Sequence, residues 1–223
     1  MAMAAFLVSA LLVAATAAFH LLKGRRDALV KKSFSMAMWM ILALAPLQMF
    51  IGDMHGLNTL EHQPAKLAAI EGHWETNKDH GMPLYLFGIP DMQAEETKYA
   101  IGIPNLGSLI MTHTLDGEVK GLKEFAPEDR PNSLVVFWSF RIMVGLGVLM
   151  ILMAILGVWL RKTGKFYDSV WLHKFALYMG PSGFIALLAG WFTTEVGRQP
   201  WVVYGVLRTK DALSPVSAEQ VGL

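Results

Sequence analysis

The run GWFTTEVGRQPWVVYGVLRT puts Trp191, Glu195 and Arg198 at i, i+4 and i+7, which is one face of a helix. An indole, a carboxylate and a guanidinium converge there. Glu195 in that setting can ligate a metal or carry a proton; it can equally pair with Arg198 at a membrane interface, where tryptophans gather anyway. A second group lies in FWSFRIMVGLG, where Arg141 stands two positions before Met143 in an apolar stretch with no other charge. Arginine at the centre of a bilayer costs about 2.5–3.5 kcal/mol on insertion scales, so it faces an anion such as a haem propionate or a wet cavity, unless it snorkels to a nearby interface. The Met143 thioether suits a haem iron and favours its ferrous state, although most methionines in a chain with 14 of them fill apolar gaps. A third pair, Lys66 and Glu71, sits in PAKLAAIEGHWE, five residues and so roughly 140° apart on a helix. That is no ideal ion pair. A hydrogen-bonding cation and a carboxylate base near a membrane surface suit oxidation of a quinol, which releases electrons together with protons; solvated surface charges are the plainer explanation.

These residues need a membrane scaffold. The 223-residue chain is 54% hydrophobic and 17% charged with a mean hydropathy of +0.41, beyond the range of ordinary soluble domains. A helical span takes about 20 mostly apolar residues. Four stretches qualify: Ala2 to Leu22 and Ser33 to Gly52, both free of charge; Leu134 to Leu160, apolar except for Arg141; and Val170 to Thr194, with His173 and Lys174 near its start. The first stretch lacks the basic leader of a signal peptide, its positive cluster lying after it instead. Lys23, Arg25, Arg26, Lys31 and Lys32 follow the first span, and Arg161, Lys162 and Lys165 follow the third, so both connections are expected to face the cytoplasm. The stretch from Asp53 to Ser133 holds thirteen acidic against six basic residues and is expected on the opposite side.

The fold class is therefore an all-α membrane protein, four transmembrane helices with a long external loop between the second and third. Residues 1–52 and 133–197 form the two helical hairpins, 53–132 the loop and 198–223 a further external segment. So long a loop needs structure of its own. Pro64 followed by AKLAAIEGHWE predicts a short helix with proline in its first turn, while PLYLFGIPD and KYAIGIPNLGSLI read as extended pieces. With no cysteine, disulfides, iron-sulfur clusters and thioether-attached haem are excluded. The seven histidines sit at span ends or in the loop, which argues against a bis-histidine four-helix cytochrome b. A net charge of +1 gives no reason to expect a nucleic-acid partner.

The run GWFTTEVGRQPW closely resembles the GRQPW signature of cytochrome bd oxidase subunit I, and FRIMVGLG and KLAAIEGHWET resemble two more of its segments. Gly52 and Asp53, Leu86 to Asp91 (LFGIPD) and Leu22 to Asp27 (LKGRRD) extend the resemblance over essentially the whole chain. It implies that Met143 is an axial ligand of low-spin haem b, with Arg141 close to haem propionates. It further implies that Glu195 ligates a high-spin haem b, with Trp191 and Arg198 lining that site, and that Lys66 and Glu71 serve quinol binding and oxidation in a loop opened by Asp53. The family oxidises ubiquinol or menaquinol on the external side and reduces oxygen to water without pumping protons, using haem d or a further haem b. It does so beside a subunit II in the bacterial inner membrane, with the quinol loop in the periplasm. The short loop resembles that of the cyanide-insensitive branch.

The family's subunit I has further spans before the first one found here and one after the last, and the earlier ones carry a histidine for the oxygen-binding haem. The resemblance therefore implies a piece covering roughly the fifth to eighth helices, inactive without the remainder and subunit II. Two other readings stay open: a haem-free transporter whose Arg141, Glu195 and Arg198 line a polar path, and a scaffold without redox function.

Overall fold

A computed structural model describes residues 2–78 and 80–212, so the last part of the expected 198–223 segment lies outside the described residues. Four segments are long and apolar enough to cross a membrane: Ala2–Leu22, Ala28–His62, Pro127–Lys162 and Val170–Gly197. The chain is mostly helical, as expected, and it divides into two compact units. One comprises residues 1–54 and 140–191; the other comprises 55–139 and 192–223.

The first unit holds α1 (Ala2–Leu22), most of α2 (Ala28–His62) and of α5 (Ser133–Lys162), α6 (Val170–Tyr178) and the start of α7 (Ser182–Gly197). Small residues set its packing. Ala10, Ala14, Ala17 and Ala18 are buried on α1, and a Cβ on Gly180 or Gly183 would stand 2.8 Å from the Ala15 Cβ or 3.0 Å from Leu11 Cδ1. Helices that share no hydrophobic driving force in lipid gain from this close approach of backbones. Phe34, Met38 and Ile41 of α2 join Met150, Met153 and Ala154 of α5 in the same core. Asp27 caps α2 by accepting the Val30 N–H at 2.9 Å, and Ser169 caps α6 by accepting that of Leu172 at 3.3 Å. The Arg161 guanidinium lies 3.7 Å from the Phe166 ring centre and 5.2 Å from that of Trp39, so a basic residue at a helix end is held by aromatic faces.

Two helices depart from the sequence expectation. α2 does not stop at Gly52 but runs on to His62, carrying Asp53 inside a helix and Pro46 within its apolar half. The expected fourth span is broken at Gly180 and Pro181. Pro181 has no N–H to give; Gly180 and Ser182 donate instead to Leu177 and Met179, and the Ser182 hydroxyl also donates to Met179 at 2.6 Å.

In the second unit, α3 (Pro64–Glu71) is the short helix expected, with proline in its first turn. It ends on Gly72 at φ 70°, whose N–H and that of His73 both reach Ala68 O. The pieces read as extended form an antiparallel hairpin of β1 (Leu84–Asp91) and β2 (Glu96–Ile103), irregular around Phe87. Asp91 closes its turn by accepting from Gln93 N, Ala94 N and Lys98 Nζ, which together hold its carboxyl at about 2. Beyond α4 (Leu106–Thr112) the loop returns to α5, where the Ser133 hydroxyl donates to Ala69 O at 3.0 Å. Past α7 a small hairpin of β3 (Trp201–Val203) and β4 (Leu207–Arg208) follows a cis Gln199–Pro200 bond.

Gly72 meets two demands at once, a left-handed backbone and no side chain. A Cβ there would stand 2.8 Å from Cδ2 of the fully buried Phe137. Gly72→Ala is expected to destabilise the protein by about 1–3 kcal/mol, read as a lowered Tm of the full-length protein in detergent; an unchanged Tm would contradict this account of the turn.

Candidate functional site

α3 faces the final turn of α7. Pro64 starts α3, its apolar residues Leu67, Ala68 and Ile70 are buried, and the aliphatic stem of Lys66 is left to lie against Gly197. A Cβ on Gly197 would come within 3.1 Å of Lys66 Cγ, 3.2 Å of Cε and 3.4 Å of Cδ. Glu195 and Arg198 flank this contact and form an ion pair, Arg198 Nη2 donating to Glu195 Oε2 at 2.7 Å. Lys66 feels both. Burial holds its ammonium below the ordinary lysine range, Glu195 pulls it back up and Arg198 pushes it further down. The structure thus groups Lys66 with Glu195 and Arg198, which the sequence spacing did not suggest.

The Arg198 Nε is buried without a hydrogen-bond partner, although its Nη2 is engaged. A guanidinium N–H left that way is an open seat for another carboxylate, and a second acceptor would make its recognition forked. Glu71, the other carboxylate expected here, is fully buried at the end of α3. Trp74, three residues on, is also buried and its indole N–H lacks a partner. His73 is buried between them in sequence, its Nε2 2.8 Å from Pro83 O and its ring stacked on Tyr85 at 4.4 Å. Since a carbonyl only accepts, His73 carries its proton on Nε2 in the neutral form.

In the first unit, Arg141 and Met143 are partly buried on α5, and Trp191 on α7 is more than half exposed. The Met143 sulfur stands 2.8 Å from where a Cβ on Gly190 would be, so the thioether lies directly on the α7 backbone. Both Gly190 and Gly197 were within the GWFTTEVGRQPW run and passed over by a search for reactive side chains. Tyr204 was missed too: burial pushes its ionisation up, and the backbone of Ala65 at the start of α3 partly offsets that. Arg208 steadies the same hairpin, pairing with Asp129 at 2.7 Å and stacking over Trp201.

The donor set suits a haem. Thioether and carboxylate both bind haem-type iron, and the open Arg198 Nε suits a propionate. Among the described residues no cluster of three or more His, Cys, Asp or Glu side chains is placed to hold a bare metal ion.

Residues 1–223 match the family described as cytochrome bd terminal oxidase subunit I. Cytochrome bd ubiquinol oxidase subunit 1 of Bacillus subtilis (strain 168) is 36% identical over 222 residues, which is 95% of this chain and 47% of that protein. Cytochrome bd-II ubiquinol oxidase subunit 1 of Escherichia coli (strain K12) is 28% identical over 286 residues, covering 98% of this chain and 55% of the relative. The structure of bd oxidase from Geobacillus thermodenitrificans superposes with a TM-score of 0.85 at 32% identity, over 99% of this chain and 50% of its own. The chain spans about half the length of the relatives it matches.

Because the folded environment disfavours charged Lys66, the folded state binds that proton less tightly than the unfolded chain does. Stability from this group therefore rises with pH between the lowered folded value and the ordinary one of about 10.4. Lys66→Met is expected to raise Tm at neutral pH, with the gain shrinking as pH approaches that upper limit; a lower Tm at neutral pH would refute the burial account.

Proposed function

Since the chain belongs to the cytochrome bd terminal oxidase subunit I family, we propose that it is the part of a terminal quinol oxidase that takes ubiquinol at its external loop and binds two haem b groups. The observation that most supports the haem part is the buried, partnerless Nε of Arg198 beside the Glu195 carboxylate, a cation oriented for an anionic ligand.

Met143 would hold low-spin haem b, with Arg141 near its propionates; Glu195 would hold the high-spin haem b, with Trp191 and Arg198 lining that site and the Arg198 guanidinium suited to a propionate. The haem groups, when bound, supply the reversible one-electron iron chemistry that carries electrons from quinol towards oxygen. Within this chain, Gly190 leaves the Met143 sulfur free of a side chain on the facing helix. The 2.7 Å ion pair with Arg198 occupies Oε2 of Glu195, so Oε1 would be the oxygen offered to iron while Arg198 keeps its carboxylate partner.

Lys66 would donate a hydrogen bond to a quinol oxygen, an assignment supported by its lowered affinity for its proton. Glu71 would accept a proton as the quinol is oxidised, a role supported by its burial on the same short helix as Lys66. The remaining spans and an oxygen site, of haem d or a further haem b, would come from the rest of the subunit, and subunit II would complete the enzyme. The setting would be the bacterial inner membrane, residues 1–52 and 133–197 crossing as helical hairpins and surrounded by lipid, with 53–132 and 198–223 on the periplasmic side. The acidic balance of the loop and the basic connections after α1 and α5 support that orientation.

In the full-length subunit assembled with subunit II, Met143→Leu is expected to abolish or shift the low-spin haem spectrum and Glu195→Ala the high-spin one. Glu71→Gln is expected to cut quinol-driven oxygen uptake by about 10²-fold or more while dithionite still reduces both haems. Haem spectra unchanged by either ligand substitution would reject the assignment and favour the haem-free reading.

A further inference from the structure

Gly197 is the last helical residue of α7 and is buried. Its φ lies outside the left-handed region, unlike Gly24, Gly72, Gly164 and Gly205. Backbone freedom is therefore not what a glycine provides there, and glycine in a helix is worth about 1 kcal/mol less than alanine. Space is what remains. The absent side chain leaves room along Cγ, Cδ and Cε of Lys66, so the whole stem rather than its tip rests on bare backbone. The helix that carries Lys66 is held from another side as well, the Ser133 hydroxyl donating to Ala69 O at 3.0 Å. With α3 and its stem both constrained, the partly buried ammonium lies within the field of Glu195 and Arg198.

We infer that Gly197 is a positioning residue for quinol oxidation: the space in place of its Cβ seats the Lys66 stem along α7 and aims its ammonium at the Glu195–Arg198 pair. The functional half of this inference rests on Lys66 binding quinol; the seat itself does not. A quinol oxygen bonded to Lys66 would be held beside the carboxylate proposed to carry haem, within one electrostatic neighbourhood. Filling the space moves the cation and leaves both carboxylates untouched.

The test uses Gly197→Ala and Gly197→Val in the full-length subunit assembled with subunit II, with the haem spectrum as the check on folding. Acetic anhydride labelling across a pH series, read by mass spectrometry and expressed as the pH-independent rate of the free amine, compares Lys66 with the exposed Lys120 of the same chain. Lys66 is expected to label more slowly than Lys120 in the parent protein and about threefold or more faster in the variants, more so for valine. Lys66 labelling that stays at the parent rate in Gly197→Ala overturns the seat. The KM for quinol then reports the functional half: Gly197→Ala raises it in the parent background and leaves it unmoved once Lys66→Ala has removed the stem. An equal rise in both backgrounds overturns the inference, because the effect would then pass through α7 alone. Faster labelling with an unchanged KM upholds the seat and instead removes Lys66 from quinol binding.

Discussion

A charge taken part of the way out of water must be met by an opposite charge or give up its proton, and the second unit is organised by that constraint. Arg198 meets Glu195 at 2.7 Å, and Lys66 is brought to the same pair by a contact between aliphatic stem and bare backbone. The three groups do not balance completely, since burial lowers the hold of Lys66 on its proton and the Arg198 Nε stays without an acceptor. An imbalance of this kind costs stability and persists where function requires it. Arg130 with Glu95 and Arg208 with Asp129 are by contrast complete pairs, and they serve to hold the loop and the final hairpin in place.

The same constraint explains which features were legible in the sequence. The spans were readable because a bilayer permits only long uncharged helices, and α1 begins and ends where the charge-free stretch does. α3 was readable because Pro64 and Gly72 punctuate it at both ends. The continuation of α2 to His62 was not, because polar residues after Gly52 mark the end of an apolar stretch and say nothing about the end of a helix. The break at Pro181 and the unbroken passage at Pro46 were likewise hidden. Both are prolines in apolar surroundings, and only the first follows a glycine and has a serine to take up a freed carbonyl.

Of the candidate site, the pairing along one helix was legible and the grouping between helices was not. Spacing along one helix put Glu195 with Arg198, which the structure contains as an ion pair. Spacing cannot relate Lys66 to Glu195, 129 positions away, because that neighbourhood depends on how α3 docks on α7. Gly190 and Gly197 were silent for another reason: a search for reactive groups looks for atoms, and these two act through atoms they lack.

The interruption between α6 and α7 makes the fourth span a jointed rod. Its backbone hydrogen bonds shorten to neighbours three residues back at Gly180 and Ser182, so the regular helical ladder is interrupted there. α6 packs on α1 with Leu172 and Ala176 in the shared core, and the start of α7 rests on α1 as well, where Gly183 meets Val8 and Leu11. One apolar stretch is thereby seated twice on the same neighbour, once on each side of its joint.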